Sequence, residues 1–191
     1  GGYVSFPISF ASKLFNIPLV IYENNVVLGK ANRYLLPITK KIFLAKEHLI
    51  NLPKKYDNKI CKVGYILNES IINYSFERKN LEKKFFSILV LGGSQGAEIF
   101  GTVIPEVVKM IKEEGYEIEI SQQCIEFQKK TIAEFYQKNN KKNNVFEFKE
   151  NIMELISFTD LAISRCGAST MAELAYTSTP FIAVPIPNSI G

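Results

Sequence analysis

Histidine is almost missing from this chain. His48 is the only one in 191 residues. It has no Ser or Cys partner in a recognisable motif and no second metal ligand nearby, so it reads as a surface or capping residue within "LAKEHLINLP". Cysteine is scarce as well. Cys61, Cys124 and Cys166 are odd in number, widely spaced and without a C-x-x-C pair. They fit reduced thiols better than a disulfide frame or a zinc site. No apolar run approaches the roughly 18 residues needed to span a bilayer, which leaves only peripheral membrane contact. A starting Met and a signal peptide are also lacking. The chain is therefore expected to be a segment of a longer protein, truncated at both ends within functional loops.

Excess charge is small too. The net +4 is insufficient to argue for a nucleic acid partner. It is unevenly spread, with seven lysines between Lys40 and Lys62 against Glu47 and Asp57. That stretch fits either a solvated face or a surface drawn to anionic lipid. The remaining composition, 47% apolar and 22% charged, is that of an ordinary globular protein.

What is present is an alternation. From residue 86 onward, β-branched apolar runs ("FSILVLG", "YEIEIS", "NVFEF", "DLAIS", "FIAVP") are separated by helical periods at 96–114, 124–139, 151–158 and 168–177. Repeated strand–helix–strand units predict a parallel sheet covered by helices. Pro105 is expected to kink or break the first of these helices. Weaker copies of the pattern precede it, with strands at 18–22 and 40–45 and helices at 9–15 and 29–36. Most of the aromatics Tyr3, Phe6, Phe10 and Phe15 are expected in a core, with Phe6 a candidate for exposure. The polar stretch 67–84 reads as a connector, which puts a domain boundary near residue 75 (1–75 and 76–191).

Two strand-to-helix turns carry the candidate chemistry, Gly92-Gly93-Ser94-Gln95-Gly96 and Ser164-Arg165-Cys166-Gly167-Ala168-Ser169-Thr170. Free N–H groups and the helix dipole favour an anion at such a helix start, and glycine lets phosphate oxygens approach the backbone. Neither turn is G-x-x-x-x-G-K-[ST] or G-x-G-x-x-G, so neither P-loop ATPase chemistry nor NAD is supported. Glu173, in the helix after the second turn, is placed either to hold ribose hydroxyls or to act as an acid stabilised by the helix dipole. Cys166 adjoins the second turn and is read as packing rather than as a nucleophile.

"LGGSQGA" together with "SRCGASTMAELA" resembles the nucleotide-binding half of the peptidoglycan-precursor N-acetylglucosaminyltransferases. Three other stretches agree in order: "GGYVSFP" with a G-G-Y-x-S-x-P loop, "YENN" with an H-E-Q-N segment, and "FKENIMELISFTDLAISRCGAST" with the approach to the second turn. The resemblance implies a GT-B glycosyltransferase built of two Rossmann-like domains with parallel sheets. Its reaction moves GlcNAc from UDP-GlcNAc to the muramic acid C4 hydroxyl of polyprenyl-linked lipid I, with inversion. It implies no metal and no cofactor, and a peripheral place on the cytoplasmic face of the bacterial inner membrane, against an anionic surface.

Carried over by position, the donor-binding residues are Asn25, Ser94, Gln95, Lys149, Arg165, Gly167, Ala168, Ser169, Thr170 and Glu173. Gly1, Gly2, Tyr3 and Ser5 match the loop that meets the acceptor pyrophosphate. Glu23 is the one candidate for a general base, with a structural carboxylate as its competing role. The sequence departs from the pattern where G-N-P-x-x-R reads Gly64-Tyr65-Ile66-Leu67-Asn68, without the Arg. It departs again where Tyr22 and Asn24 replace the His and Gln of H-E-Q-N. Two alternatives therefore stay open: a GT-B transferase acting on another glycolipid, and a non-catalytic nucleotide-binding Rossmann domain.

Overall fold

The computed structural model describes residues 4–73, 84–140 and 142–186, with backbone alone for residues 70 and 94–97. The chain forms two compact units that divide between Leu67 and Asn68. The boundary expected near residue 75 lies outside the described residues.

The first unit runs α1 (Ser5–Leu14), β1 (Leu19–Glu23), α2 (Lys30–Leu35), β2 (Thr39–Leu44), a 3-10 helix (Lys54–Lys59) and β3 (Ile60–Lys62). The three strands pair in parallel in the order β1-β2-β3. Leu28, Leu36, Ile42 and Leu44 form its buried cluster, with Leu49, Leu52, Tyr56 and Ile60 packed against it. The sequence pattern missed β3, because three residues cannot display a period of two. The expectation that most of the aromatics in and around α1 are core is corrected at Phe10 and Phe15, which are 54% and 76% exposed, while Phe6, a candidate for exposure, is 47% exposed. The side of α1 that turns inward is the small one: Ser9 is its only buried residue, and its hydroxyl bonds back to the carbonyl of Ser5.

The second unit opens with α3 (Glu69–Ile72). It continues through β4 (Phe86–Leu91), α4 (Gly93–Glu113), β5 (Ile118–Gln123), α5 (Glu126–Asn139), β6 (Asn143–Phe146), α6 (Ile152–Ser157), β7 (Leu161–Arg165), α7 (Ala168–Tyr176) and β8 (Phe181–Val184). Its five strands are all parallel, in the order β6-β5-β4-β7-β8. The central strand β4 buries Ile88, Leu89, Val90 and Leu91 in succession, as expected of a strand covered on both faces. Phe100, Ile104 and Val108 of α4 and Ile132 and Tyr136 of α5 complete the core beside it.

Two expectations shift here. The helix after β4 begins at Gly93, earlier than the periodicity placed it, because Gly93 takes φ +64° and lets the chain turn at once from strand to helix. That helix also runs unbroken through Pro105 to Glu113. Ile104 and Val108 on either side of the proline are both buried, so packing holds the helix across the lost hydrogen bond.

Candidate functional site

In the second unit the strand order reverses at β4. The chain goes from β4 to β5 and β6 on one side, then returns to lay β7 and β8 on the other. Ligands of open parallel sheets bind outside the carboxyl ends of the strands at such a reversal. The two strands flanking it, β4 and β7, are the ones that carry the two glycine turns. They are hydrogen-bonded neighbours, with Leu91 opposite Ser164 as the last paired residues before the turns. Helices α4 and α7 therefore start side by side on one sheet edge.

The first four N–H groups of a helix have no acceptor within it. On α7 the start is open. Gly167 is the N-cap, no side chain caps the helix, and the Gly167 carbonyl accepts the N–H of Met171 at 2.9 Å. Gly167 has an ordinary φ of −64°, so its backbone conformation does not demand glycine. A Cβ there would reach to 3.8 Å from the Thr170 hydroxyl, occupying the space above the helix start. Ala168, Ser169 and Thr170 form the first turn, with Ser169 exposed.

On α4 the N–H of Gly93 already has a partner, the Gln123 Oε1 at 3.2 Å. The amides after Gly93 belong to the first turn, where helix geometry leaves them without intrahelical acceptors. Ser94 and Gln95 lie in that turn, and their side chains are outside the description.

Glu173 stands on the second turn of α7, half-buried, with no side-chain hydrogen bond among the described residues. Burial raises its pKa above the usual carboxylate value. A desolvated, unpartnered carboxylate near a helix start is an acceptor available to neutral hydroxyl donors.

Arg165, at the end of β7, directs its guanidinium to the end of β8 and to α4. Nη1 donates to the carbonyls of Pro185 at 2.8 Å and Val184 at 3.4 Å, and the group lies 5.1 Å from the centre of the Phe100 ring. It ties the end of β8 to α4. Nε is buried without a partner among the described residues. Lys149, in the β6–α6 loop, pairs with Glu154 at 3.1 Å, and Phe148 beside it is almost fully exposed.

The other candidates belong to the first unit. Glu23 is 3% exposed and its carboxylate is saturated. Oε1 accepts the N–H and the Nδ2 of Asn25 at 3.2 and 3.1 Å, while Oε2 accepts the Gly29 N–H at 3.1 Å and Asn32 Nδ2 at 2.8 Å. Asn25 is thus held against Glu23 at the surface of the β1–α2 turn. The Tyr22 hydroxyl donates to the Gly64 carbonyl at 3.3 Å and accepts the Ile66 N–H at 3.1 Å. The two places where the sequence departs from the family pattern are therefore in contact. Ile66 has an N–H where that pattern has proline, and Tyr22 satisfies it. Ser5 is the first residue of α1; Gly1, Gly2 and Tyr3 lie outside the described residues.

Sequence reasoning missed Gln123 and Phe100, which act on the turns from neighbouring elements. The polar pair closing "EIEISQQ" at a strand's carboxyl end was the available signal for the first. Among the described residues, no group of three or more His, Cys, Asp or Glu side chains is placed to hold a metal ion.

A doubly wound parallel sheet with two glycine turns at its reversal, in a chain that also carries a second parallel α/β unit, is an architecture of the doubly wound α/β class, whose members bind ligands at that reversal. Residues 87–191 match the glycosyltransferase family 28 C-terminal domain and residues 1–44 the family's N-terminal domain, and the chain belongs to glycosyltransferase family 28. It is 33% identical over 190 residues to a protein of Pelagibacter ubique (strain HTCC1062), covering 99% of this chain and 52% of the relative. It is 35% identical over 193 residues to one of Rickettsia bellii (strain RML369-C), covering 99% and 54%. Both are named UDP-N-acetylglucosamine–N-acetylmuramyl-(pentapeptide) pyrophosphoryl-undecaprenol N-acetylglucosamine transferase. The crystal structure of Acinetobacter baumannii MurG superposes with a TM-score of 0.71 at 27% identity, covering 99% of this chain and 52% of that one. The fold is accordingly α/β of the GT-B type. The glycotransferase of kitacinnamycin shares the fold at a TM-score of 0.60 and 10% identity, covering 96% of this chain and 56% of that one. The chain thus spans little more than half the length of the relatives it matches.

Proposed function

We propose that the protein to which this chain belongs is an inverting hexosyltransferase. It moves GlcNAc from UDP-GlcNAc to the muramic acid C4 hydroxyl of polyprenyl-linked lipid I, and the second unit holds the donor. The observation that carries this reading is the pairing of β4 with β7, which sets the two helix starts next to each other on one edge. Two adjacent sets of N–H donors suit a diphosphate, whose charge grows as the glycosidic bond breaks. Fixed donors at that point favour the departing UDP over the bound ground state. Glu173 is assigned to the ribose hydroxyls. Ser94, Gln95, Gly167, Ala168, Ser169 and Thr170 are assigned to the diphosphate and sugar, and the β6–α6 loop at Lys149 to the base. The guanidinium of Arg165 shapes the site through β8 and α4. Asn25 is assigned to the sugar from the first unit. The four bonds on Glu23 favour it as the organiser of its turn rather than as the base that takes the acceptor proton.

The same reading gives the first unit a membrane-side acceptor surface on the cytoplasmic face. Gly1, Gly2 and Tyr3 precede α1 in the sequence and Ser5 opens it, and its Phe6, Ile8, Phe10 and Leu14 are exposed. The lysines of 40–62 supply charge for anionic headgroups.

The test uses the full-length protein with UDP-GlcNAc and lipid I. Lipid II formation, with UDP affinity by calorimetry reduced in Ser94→Ala and Glu173→Ala, is the expected result. Unchanged UDP affinity in both variants, or transfer only from another UDP-sugar or to another glycolipid, would refute it.

A further inference from the structure

Gln123 ends β5, one strand away from the pair that carries the glycine turns, and its side-chain amide is fixed at both ends. Oε1 accepts the N–H of Gly93 at 3.2 Å, and Nε2 donates to the carbonyl of Glu147 at 3.1 Å. Gly93 opens α4, and Glu147 follows β6 and leads into Phe148 and Lys149. One neutral amide therefore spans the carboxyl ends of three consecutive strands, β6, β5 and β4.

Both bonds need what a glutamine carries, an acceptor facing an N–H and a donor facing a carbonyl. A glutamate could keep the first bond but not the second. It would also place negative charge against the helix start where an anion is to bind, and two anions there repel. Gln123 satisfies the Gly93 amide without adding charge, and it leaves the following amides of α4 to a ligand. Gly93 sits at φ +64° with nothing within 4 Å of the position a Cβ would take, so a tether there supplies a constraint that packing at that position does not.

We infer that Gln123 is a positioning residue for the donor. It straps the phosphate-side turn at Gly93 to the base-side loop at Glu147–Lys149, and so fixes the spacing that fits a nucleoside diphosphate. It does not touch the ligand itself. The inference rests on the assignment of this edge to a UDP-sugar.

The experiment compares Gln123→Leu and Gln123→Glu with wild type in the full-length protein. It measures UDP affinity, the KM values for donor and acceptor, and amide hydrogen exchange of residues 92–97 without ligand. Gln123→Leu is expected to bind UDP about tenfold more weakly, the size of one or two lost hydrogen bonds. Donor KM should rise, with acceptor KM unchanged and faster exchange at 92–97. Gln123→Glu should lose more donor affinity than Gln123→Leu. Wild-type UDP affinity and donor KM in both variants would overturn the inference. So would donor and acceptor KM rising together in proportion to a lowered Tm, which is the mark of general unfolding. If wild type itself fails to bind UDP, the donor assignment falls, and unchanged exchange at 92–97 would then overturn the strap as well.

Discussion

Leu91 of β4 and Ser164 of β7 stand opposite each other in parallel register, and within two residues of each the strand gives way to a turn into a helix. Ser164 is completely buried, its hydroxyl donating to the Arg165 carbonyl at 3.0 Å. The sheet therefore fixes how far each turn projects, and it brings two segments distant in sequence to one edge. The turns use glycine differently, and their glycines can be separated by substitution.

Gly93→Ala is expected to cost about 1 kcal/mol or more of stability, because an L-residue at φ +64° is strained whatever space surrounds it. Gly167→Ala carries no such strain at φ −64°, and its Cβ meets only an ordinary contact at Thr170. Thermal unfolding should show a lowered Tm for the first and little change for the second. UDP affinity should fall in both, because the second methyl group sits over the α7 helix start. A Gly167→Ala protein with unchanged UDP affinity would show that the α7 start does not face the phosphates.

Glu173 gives the pH dependence. Its folded-state pKa is raised by burial, so the ligand-free fold favours the protonated acid more than the unfolded chain does. The contribution to stability is present at low pH and is lost as the pH rises through that raised pKa. Glu173→Gln should accordingly raise Tm at neutral pH and leave it unchanged in acid. Ribose hydroxyls favour the ionised carboxylate. UDP affinity relative to Glu173→Gln should therefore fall as the pH drops through the raised pKa, beginning above the range of an ordinary glutamate. Calorimetry across pH checks this, and a constant ratio between the two proteins would remove Glu173 from the ribose.

Glu23 tests the difference between a base and an organiser. Glu23→Ala strands the half-buried Gly29 N–H and the buried Asn32 amide, at about 2–3 kcal/mol. Denaturant unfolding is expected to show that loss. UDP-GlcNAc affinity measured where the variant is still folded should fall through displaced Asn25, which is assigned to the sugar. A variant as stable as wild type but catalytically dead would restore Glu23 as the base.

Much of the second unit was readable from sequence because its signals are local. The run "FSILVLGG" announces a buried strand and a glycine turn, and "SRCGASTMAEL" a strand end and a helix start. Element ends moved where a single residue's backbone decided them, as at Gly93. The continuous helix through Pro105 was not readable, since propensity is silent about the packing of Ile104 and Val108 that outweighs it. The exposure of Phe10 and Phe15 ran against pattern for the opposite reason: α1 turns its serines inward and leaves these aromatics uncovered by the described residues.

The sequence by itself determined the alternation of strand and helix, the two glycine turns and the family to which they belong. Each depends on residue types a few positions apart, which backbone sterics and periodicity translate directly. Only the tertiary structure decided that β7 pairs with β4, that Gln123 reaches both Gly93 and Glu147, and that Glu23 is fully bonded. Those outcomes depend on which strands share hydrogen bonds and which side chains meet across the sheet. That choice is made by burying β4 on both faces, and spacing along the chain does not encode it.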